Sequence, residues 1–285
     1  MSALPQGLAE FVVHAGWDGA AIGPLPGDAS FRRYFRLSKE SGESAMLMHA
    51  PPPHEDPAPF LHVAHWLNQN GMRAPAILAE NATQGWVLTE DFGNDRMRDW
   101  LDLNPADEEA AYTAAVDALA ALHALPPGPF AAYDMAVYAR EAALFTEWYC
   151  PAQGLNLDAA GYAAAWDEAL APLLARQHPG VTVLRDYHAE NIMLLGGKAS
   201  APQGLIDFQD ALVGHPAYDL VSLLQDARRD VPEALEAAML AHYRAASGAE
   251  DEDFLADYAL LGAQRNAKIV GIFTRLDRRD GKAKY

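Results

Sequence analysis

The sequence predicts an α+β chain of two lobes, with a small antiparallel β-rich N-terminal lobe and a larger, mainly helical C-terminal lobe. Three observations predict this division. Short apolar and aromatic runs separated by Gly, Pro and Asp turns occupy the first third of the chain. Ala-rich segments with apolar residues at helical spacing dominate the rest, and a short polar connection near residue 92 joins the two parts. We therefore place the domains at 1–91 and 92–285, with a cleft between the lobes as the expected ligand site.

The N-terminal lobe is predicted from alternating strand and turn signals. "GPLPGDASFRRYFRLS" is a turn leading into a strand, and "SAMLMHA" is a second short strand. A helix is predicted from Pro59 to Asn70, because its apolar residues share one face and Gly71 is a typical C-terminal stop. "AILAENATQGWVLTEDFG" then predicts strand, turn and strand, opening into a polar connection over 90–95.

The C-terminal lobe is predicted to begin with a helix over "NPADEEAAYTAAVDALAALHAL". Asn104 is the expected N-cap, Pro105 the first helical residue, and the prolines at 126–127 end the helix. Three β segments, "VTVLRDY", "IMLLGG" and "GLIDF", interrupt the helices that follow. These further helices are expected at about 134–149, 158–176, 216–229, 232–246 and 251–277.

The composition of the chain argues against several classes of function. With 21 basic and 39 acidic residues the net charge is −18, which argues against nucleic acid and against an anionic membrane surface. The N-terminus lacks the pattern of a signal peptide and no apolar run is long enough to span a bilayer, so a cytoplasmic protein acting on small molecules is the expectation. The single cysteine, Cys150, excludes an internal disulfide and paired-Cys metal motifs, and we expect it to be partly buried near a helix end.

The stretch "LRDYHAENIMLL" places polar residues between apolar runs, where they are costly unless satisfied or used. Asp207 ends a second apolar strand sixteen residues after Asn191. Asp186, Asn191 and Asp207 have the order and approximate spacing of a kinase catalytic loop and its metal-binding aspartate. Oxygen ligands suit Mg²⁺, and the remaining carboxylate can orient an acceptor hydroxyl. The alternative is an ordinary hairpin with capping residues and an unrelated strand-end Asp.

"LRDYHAEN" together with "LIDFQDALVGHPAYDLVSLL" resembles the aminoglycoside phosphotransferase and choline kinase group, which has a bilobal protein-kinase-like fold. "HPAYDLVSLL" follows the metal aspartate directly, where protein kinases carry an activation segment. The resemblance extends from about residue 20 to the end of the chain. Tyr285 lies inside a segment that this group usually continues with more helix, so the chain is expected to be either trimmed or naturally short.

A narrower resemblance rests on five segments in order. "GDASFRRYFRL", "APP", "LTEDFGND", "RDYHAENIM" and "GAQRNAKIVGIFTRLDRRDGKAKY" are together similar to the anomeric kinases of N-acetylmuramate and N-acetylglucosamine. The resemblance implies an enzyme of peptidoglycan recycling that transfers phosphate from MgATP to the C1 hydroxyl of an amino sugar. We expect a monomer. Two alternatives stay open: a kinase for an aminoglycoside or an amino alcohol, and a pseudokinase that binds nucleotide without catalysis.

The same resemblance implies roles for residues of the catalytic lobe. Asp186 matches the catalytic base, and Asn191 and Asp207 match the Mg²⁺ ligands. Asp219, in "AYDL", matches an aspartate that bonds the catalytic-loop backbone and so serves as structural support. Substrate binding is expected from His188, Glu190, Asp210 and Arg265.

Several of these residues also have a structural interpretation. His188 either contacts phosphate or substrate or holds the loop, and Glu190 can equally brace it. Seven of the 21 basic residues lie between Arg265 and Lys284. This local positive charge either steers an anionic substrate or only interacts favourably with the negative end of a helix dipole.

For the N-terminal lobe the resemblance implies nucleotide binding, by Gly27 and Ser30 in a phosphate-covering turn and by Glu90 and Phe92 in a hinge. The acids of the hinge could instead pair with Arg96 or Arg98. The sequence departs from the kinase pattern at the third strand, where Met48 and His49 stand in place of the usual lysine. Arg32 or Arg33 is the candidate cation in its place.

Overall fold

The chain divides into two compact units in a computed structural model that describes residues 4–26, 31–200, 202–249 and 252–282. The smaller unit comprises residues up to Asp95 together with Met193–Gly197 and Pro202–Asp210, and the larger unit comprises the rest. The domain boundary predicted from the sequence lies after residue 91. The two later segments join the smaller unit because Leu194 N donates to Asp95 O at 2.7 Å and Leu205 N donates to Arg73 O at 2.8 Å.

The smaller unit contains a five-stranded antiparallel sheet. Its strands are β1 (Ala21–Pro24), β2 (Arg33–Ser38), β3 (Ser44–His49), β4 (Ile77–Asn81) and β5 (Trp86–Glu90). Across the sheet they lie in the order β1-β2-β3-β5-β4. Phe35 pairs with Leu47, and Leu47 pairs in turn with Leu88, so all three side chains share one face. The predicted strand, turn and strand over 77–90 is confirmed.

Helices cover both faces of this sheet. Helix α1 (Leu8–His14) packs Leu8 and Phe11 against the face that carries Phe35, and α2 (Ala58–Gln69) packs Leu61 against the opposite face. The prediction of α2 is confirmed to within one residue at each end. The sequence analysis missed α1, because seven residues preceded by a glycine rather than a capping side chain give a weak helix signal.

A two-stranded sheet of β7 (Ile192–Leu194) and β8 (Gln203–Leu205) carries the predicted metal aspartate at its end. Phe208 is buried and stacks on Phe60, with 5.2 Å between ring centroids. Gly204 lies so close to Phe92 that an added Cβ would come within 2.6 Å of the ring. These contacts attach the segment around Asp207 to the smaller unit.

The larger unit is mainly helical. Its helices are α3 (Met97–Leu103), α4 (Glu108–His123), α5 (Met135–Leu144), α6 (Cys150–Ala152), α7 (Ala159–Arg176), α8 (Ala217–Leu224), α9 (Glu233–Ser247) and α10 (Glu252–Asp280). A π-helical turn over Phe145–Tyr149 joins α5 to α6, and Cys150 is buried at that junction. No helix within the described ranges is long and apolar enough to cross a membrane.

Several predicted boundaries in this unit were wrong. The sequence analysis missed α3, and α4 begins after a 3₁₀ turn over Pro105–Asp107. Asn104 does not cap α4 with its side chain, because its amide nitrogen donates backward to Trp100 O at 2.9 Å. The helix predicted over 216–229 ends at Leu224, since the backbone of Gln225 leaves the helical conformation.

The strands β6 (Val181–Val183) and β9 (Leu212–Gly214) pair antiparallel and lead directly into the polar loop. The sequence analysis missed β9, a three-residue strand whose pairing partner lies about thirty residues earlier in the chain. Helix α10 passes so close to α5 at Gly271 that an added Cβ would lie 2.5 Å from Leu144 O. This approach brings the basic face of α10 beneath the loop that follows β6.

Candidate active site

The loop over residues 184–191 begins where β6 ends, and one buried carboxylate determines its course. Asp219, near the start of α8, accepts hydrogen bonds from Leu184 N at 2.6 Å and Arg185 N at 2.8 Å. Arg185 has φ 71, a left-handed conformation that is uncommon for a residue with a side chain. Backbone in this region persists only where its surroundings hold it, and such positions often occur at functional sites.

Asp186 follows directly and remains partly accessible, with 42% of its side chain exposed. Its Oδ1 lies 3.9 Å from Arg265 Nη2. The surrounding protein would raise the pKa of this carboxyl, but the charges of Lys268, Arg265 and nearby groups outweigh that effect and hold the pKa below its ordinary value. Asp186 is therefore an anion at neutral pH.

Asn191 and His188 complete the loop. Asn191 Nδ2 donates to Asp186 O at 3.0 Å, which fixes the plane of the amide. His188 is buried, and burial, assisted by the charges of Arg228 and Arg265, lowers the pKa of His188 to about 3. His188 is consequently neutral at pH 7 and cannot act as a cation for phosphate, although its ring can still hydrogen-bond.

A buried ionic network lies beneath the loop, and no local pattern in the sequence predicts it. Glu141 on α5 accepts from Arg185 and from the hydroxyl of Tyr133, and its Oε1 lies 2.9 Å from Lys268 Nζ. Lys268 also donates to Tyr218 at 3.1 Å. Burial alone would lower the pKa of Lys268, but Tyr218 and Glu141 raise it above its ordinary value. The side chains of the network are therefore charged. The charge of Lys268 is among those that lower the pKa of Asp186.

Glu190 is held between two arginines of the larger unit. Arg98 donates to Glu190 Oε1, and Arg228 Nε lies 3.2 Å from Oε2. These contacts brace the loop, and binding of substrate by Glu190 stays a prediction. Arg265 is buried and donates to Ser222 Oγ at 2.8 Å, so its predicted contact with substrate also stays untested.

Asp207 and Asp210 belong to the smaller unit and are exposed. Asp207 has φ 60, so it is a second residue with a side chain in the left-handed region, and its Oδ1 accepts from Gln209 Nε2 at 2.8 Å. Aspartate tolerates this conformation better than most residues. Asp186 and Asn191 belong to the larger unit, so the predicted metal ligands come from both units.

On the predicted nucleotide side, Gly27 and Ser30 lie outside the described residues. Arg32 Nε lies 3.3 Å from Glu55 Oε2, and the Arg33 guanidinium lies over Phe35, 5.3 Å from the ring centroid. Burial, assisted by the charge of Arg33, lowers the pKa of His49. A largely neutral His49 cannot replace the charge of the missing strand lysine, which leaves the two arginines as candidates.

The segment predicted as a hinge is held by ion pairs within the smaller unit. Arg73 donates to both oxygens of Glu90, at 2.7 Å for Oε2, and its guanidinium lies 4.7 Å from the ring centroid of Phe92. Arg36 Nε lies 2.7 Å from Asp91 Oδ2. The acids therefore pair with Arg73 and Arg36 rather than with Arg96 or Arg98. Distant positions of the chain supply these partners, so no local pattern identified them.

The contacts of Asp219 predict a pH dependence of stability. Burial raises the pKa of Asp219 to about 7, although the hydrogen bonds from Leu184 and Arg185 oppose the shift. A raised folded-state pKa contributes stability that is complete below about pH 4 and is lost as the pH rises through about 7, on the order of 4 kcal/mol in all. We expect Asp219→Asn to remove this dependence, because the amide does not titrate.

Urea unfolding of both proteins at about pH 5.5 and about pH 8.5 measures the effect. The free energy of unfolding of the wild type should fall more between these two values than that of Asp219→Asn. The amide also places an N–H group against a backbone N–H, but that cost is independent of pH and cancels in the comparison. Equal slopes for the two proteins would contradict the prediction.

Comparisons with known proteins show which family the sequence resembles. The model of the phosphotransferase enzyme family matches residues 21–258. An N-acetylmuramate/N-acetylglucosamine kinase of Pseudomonas aeruginosa is 39% identical over 294 residues, covering 98% of this chain and 84% of the relative. A protein of the same name from Caulobacter vibrioides is 36% identical, covering 92% of this chain and 82% of that protein.

A solved structure supports the fold independently. Aminoglycoside phosphotransferase APH(3″)-Id from Streptomyces rimosus, in complex with ADP and streptomycin, superposes with a TM-score of 0.60. The match covers 92% of this chain and 99% of that protein, at 21% sequence identity. Likeness at this identity concerns the fold alone, and it confirms the predicted α+β, protein-kinase-like class.

Proposed function

This chain belongs to the phosphotransferase enzyme family, and from that premise we propose that it is a sugar kinase of cell-wall recycling. It would transfer the γ-phosphoryl group of MgATP to the anomeric (C1) hydroxyl of N-acetylmuramate or N-acetylglucosamine. The observation that carries the proposal is the anionic, partly exposed Asp186 in a hydrogen-bonded loop, in a chain whose relatives are named for these two sugars.

Asp186 would accept a hydrogen bond from the sugar hydroxyl and direct its oxygen toward the phosphoryl group. Its lowered pKa makes it a weak base, so we assign it mainly to orientation. This assignment suits phosphoryl transfer, in which most of the protein's contribution is positioning and charge neutralisation. The proton would pass to the carboxylate late, once the oxygen has begun to bond to phosphorus.

Asn191 and Asp207 are proposed to hold the metal. Both offer the hard oxygen atoms that Mg²⁺ prefers, and the hydrogen bond from Asn191 Nδ2 to Asp186 O leaves the amide oxygen as the ligating atom. The exposed carboxylate of Asp207 carries the negative charge that a bound cation would offset. Mg²⁺ would neutralise the phosphate oxygens as the γ-phosphoryl group departs.

The nucleotide would be bound by the smaller unit. Because the carboxylate of Glu90 is fully engaged by Arg73, a contact of this hinge residue with adenine would run through its backbone. Phe92 offers an aromatic surface to the base. Gly27 and Ser30 would approach the phosphates, and Arg32 or Arg33 would supply the cation that kinases usually place on the third strand.

An acceptor panel tests the proposal. The purified protein is incubated with MgATP and either amino sugar, an aminoglycoside or choline, and phosphate transfer is followed by ³¹P nuclear magnetic resonance. We expect both amino sugars to be phosphorylated, and the methyl glycoside of N-acetylglucosamine to be inert because its anomeric oxygen is blocked. Phosphorylation of the methyl glycoside would contradict C1 transfer, and preference for the aminoglycoside or choline would contradict the sugar assignment. Nucleotide binding without any transfer would indicate a pseudokinase.

A further inference from the structure

The cations near the catalytic loop differ in how far protein contacts already engage them. Arg265 is 3% exposed and donates to Ser222, while Lys268 and Arg185 both pair with the buried Glu141. Such groups are directed into the protein and are poorly placed to meet a carboxylate that arrives from solvent. Arg265, Lys268 and Arg185 are therefore weaker candidates for binding an anionic substrate than a cation with free donors would be.

Arg228, in the connection between α8 and α9, is arranged differently. Its side chain is 26% exposed, and its Nε lies 3.2 Å from Glu190 Oε2. Within the described part of the chain, its two terminal nitrogens donate no hydrogen bond. The guanidinium lies 5.6 Å from the ring centroid of Phe273, which helps to hold its plane. A guanidinium held in this way presents the paired donors that match a carboxylate.

The position of Arg228 is tied to the reaction centre through the loop. Its ionic partner Glu190 lies four residues after Asp186, and its charge contributes to the low pKa of the buried His188. Arg228 N donates to Asp226 Oδ1 at 2.9 Å, which fixes the local turn of the connection that carries Arg228. Arg228 therefore lies beside the catalytic loop, where it contacts Glu190.

We propose that Arg228 binds the carboxylate of an acidic acceptor sugar and so determines the preference for N-acetylmuramate over N-acetylglucosamine. The two sugars differ by the lactyl ether, whose carboxylate is the only formal charge that either of them carries. A chain of net charge −18 repels such an anion at long range, so a local cation is required to favour it. This inference rests on the sugar kinase activity proposed above.

The test compares kcat/KM for the two sugars in the wild type and in Arg228→Met, which keeps an unbranched side chain against Phe273 and removes the charge. The ratio of kcat/KM for N-acetylmuramate to that for N-acetylglucosamine should fall by about 10- to 100-fold, the range expected for loss of a hydrogen bond to a charged group. The change should appear mainly in KM for N-acetylmuramate. Arg228→Lys should restore part of the ratio, because it returns the charge without the paired donors.

Arg98→Met is the matched control, since Arg98 is also partly exposed and holds the other oxygen of the same Glu190 carboxylate. Loosening Glu190 from this side should affect both sugars alike and leave the ratio unchanged. An unchanged ratio in Arg228→Met, or an equal shift in Arg98→Met, would overturn the inference while the kinase proposal stands. A wild type that phosphorylates neither sugar, and binds neither in calorimetry, would overturn both.

Discussion

Replacing Asp186 with asparagine should lower kcat for sugar phosphorylation by about 10²- to 10⁴-fold. The substitution preserves the size of the side chain but removes the negative charge that accepts and orients the sugar hydroxyl. It also leaves Arg265, 3.9 Å away, without the carboxylate that offsets its charge. Nucleotide affinity should change little, because the groups proposed to bind ATP belong mostly to the other unit.

Steady-state kinetics with N-acetylglucosamine, together with calorimetric titration of a non-hydrolysable ATP analogue, separate these two effects. Asp117→Asn is the control, because Asp117 is exposed and pairs with His242, and neither residue takes part in the proposed reaction. That variant should leave kcat unchanged. If Asp186→Asn retained wild-type turnover, Asp186 would have no role in the transfer step.

Replacing Lys268 with methionine should lower the free energy of unfolding by about 3–5 kcal/mol, the range found when one member of a buried ion pair is removed. Lys268 is 8% exposed and its ammonium group lies 2.9 Å from Glu141 Oε1. The buried carboxylate would keep Arg185 and Tyr133 as partners but would lose one of its two cations. Because Arg185 immediately precedes Asp186, catalytic activity should also fall.

Urea denaturation with Arg96→Met as control measures this cost. Arg96 pairs with Asp99 at the surface, with 48% of its side chain exposed, and its replacement should cost at most about 1 kcal/mol. The double variant Glu141→Gln with Lys268→Met should be less stable than Lys268→Met alone, because it also leaves the largely buried guanidinium of Arg185 without its carboxylate. Equal losses for Lys268→Met and Arg96→Met would show that the network is not a significant source of stability.

Local sequence patterns were sufficient for most of the elements that position the site. The strands over 77–90, helix α2 and the longer helices of the larger unit show clear periodicity, since each buries one continuous face. Short elements were missed because three to seven residues carry too little periodic signal. Helices α1 and α3 and strand β9 all belong to this group.

The candidate residues show the same division between local and long-range information. Asp186, Asn191 and Asp207 were found together because catalytic spacing is a local property of the chain. The partners that set their environment were not found, because Glu141 and Lys268 lie more than 40 residues away on either side of the loop. The sequence likewise does not identify Arg228 as a candidate binding residue. Its contacts with Glu190 and Phe273 make it one, and those residues lie in separate segments of the chain.

By itself, the amino-acid order determined the two-part α+β layout, the polar loop and the chemistry of its carboxylate and amide groups. These properties follow from residue type and short-range spacing, which act before the chain is folded. Only the tertiary structure decided which charged groups are buried, which arginine keeps a partly exposed guanidinium, and in which direction the pKa of Asp186 shifts. Those properties depend on desolvation and on Coulombic neighbours from distant segments, and both come into existence only when the segments pack together.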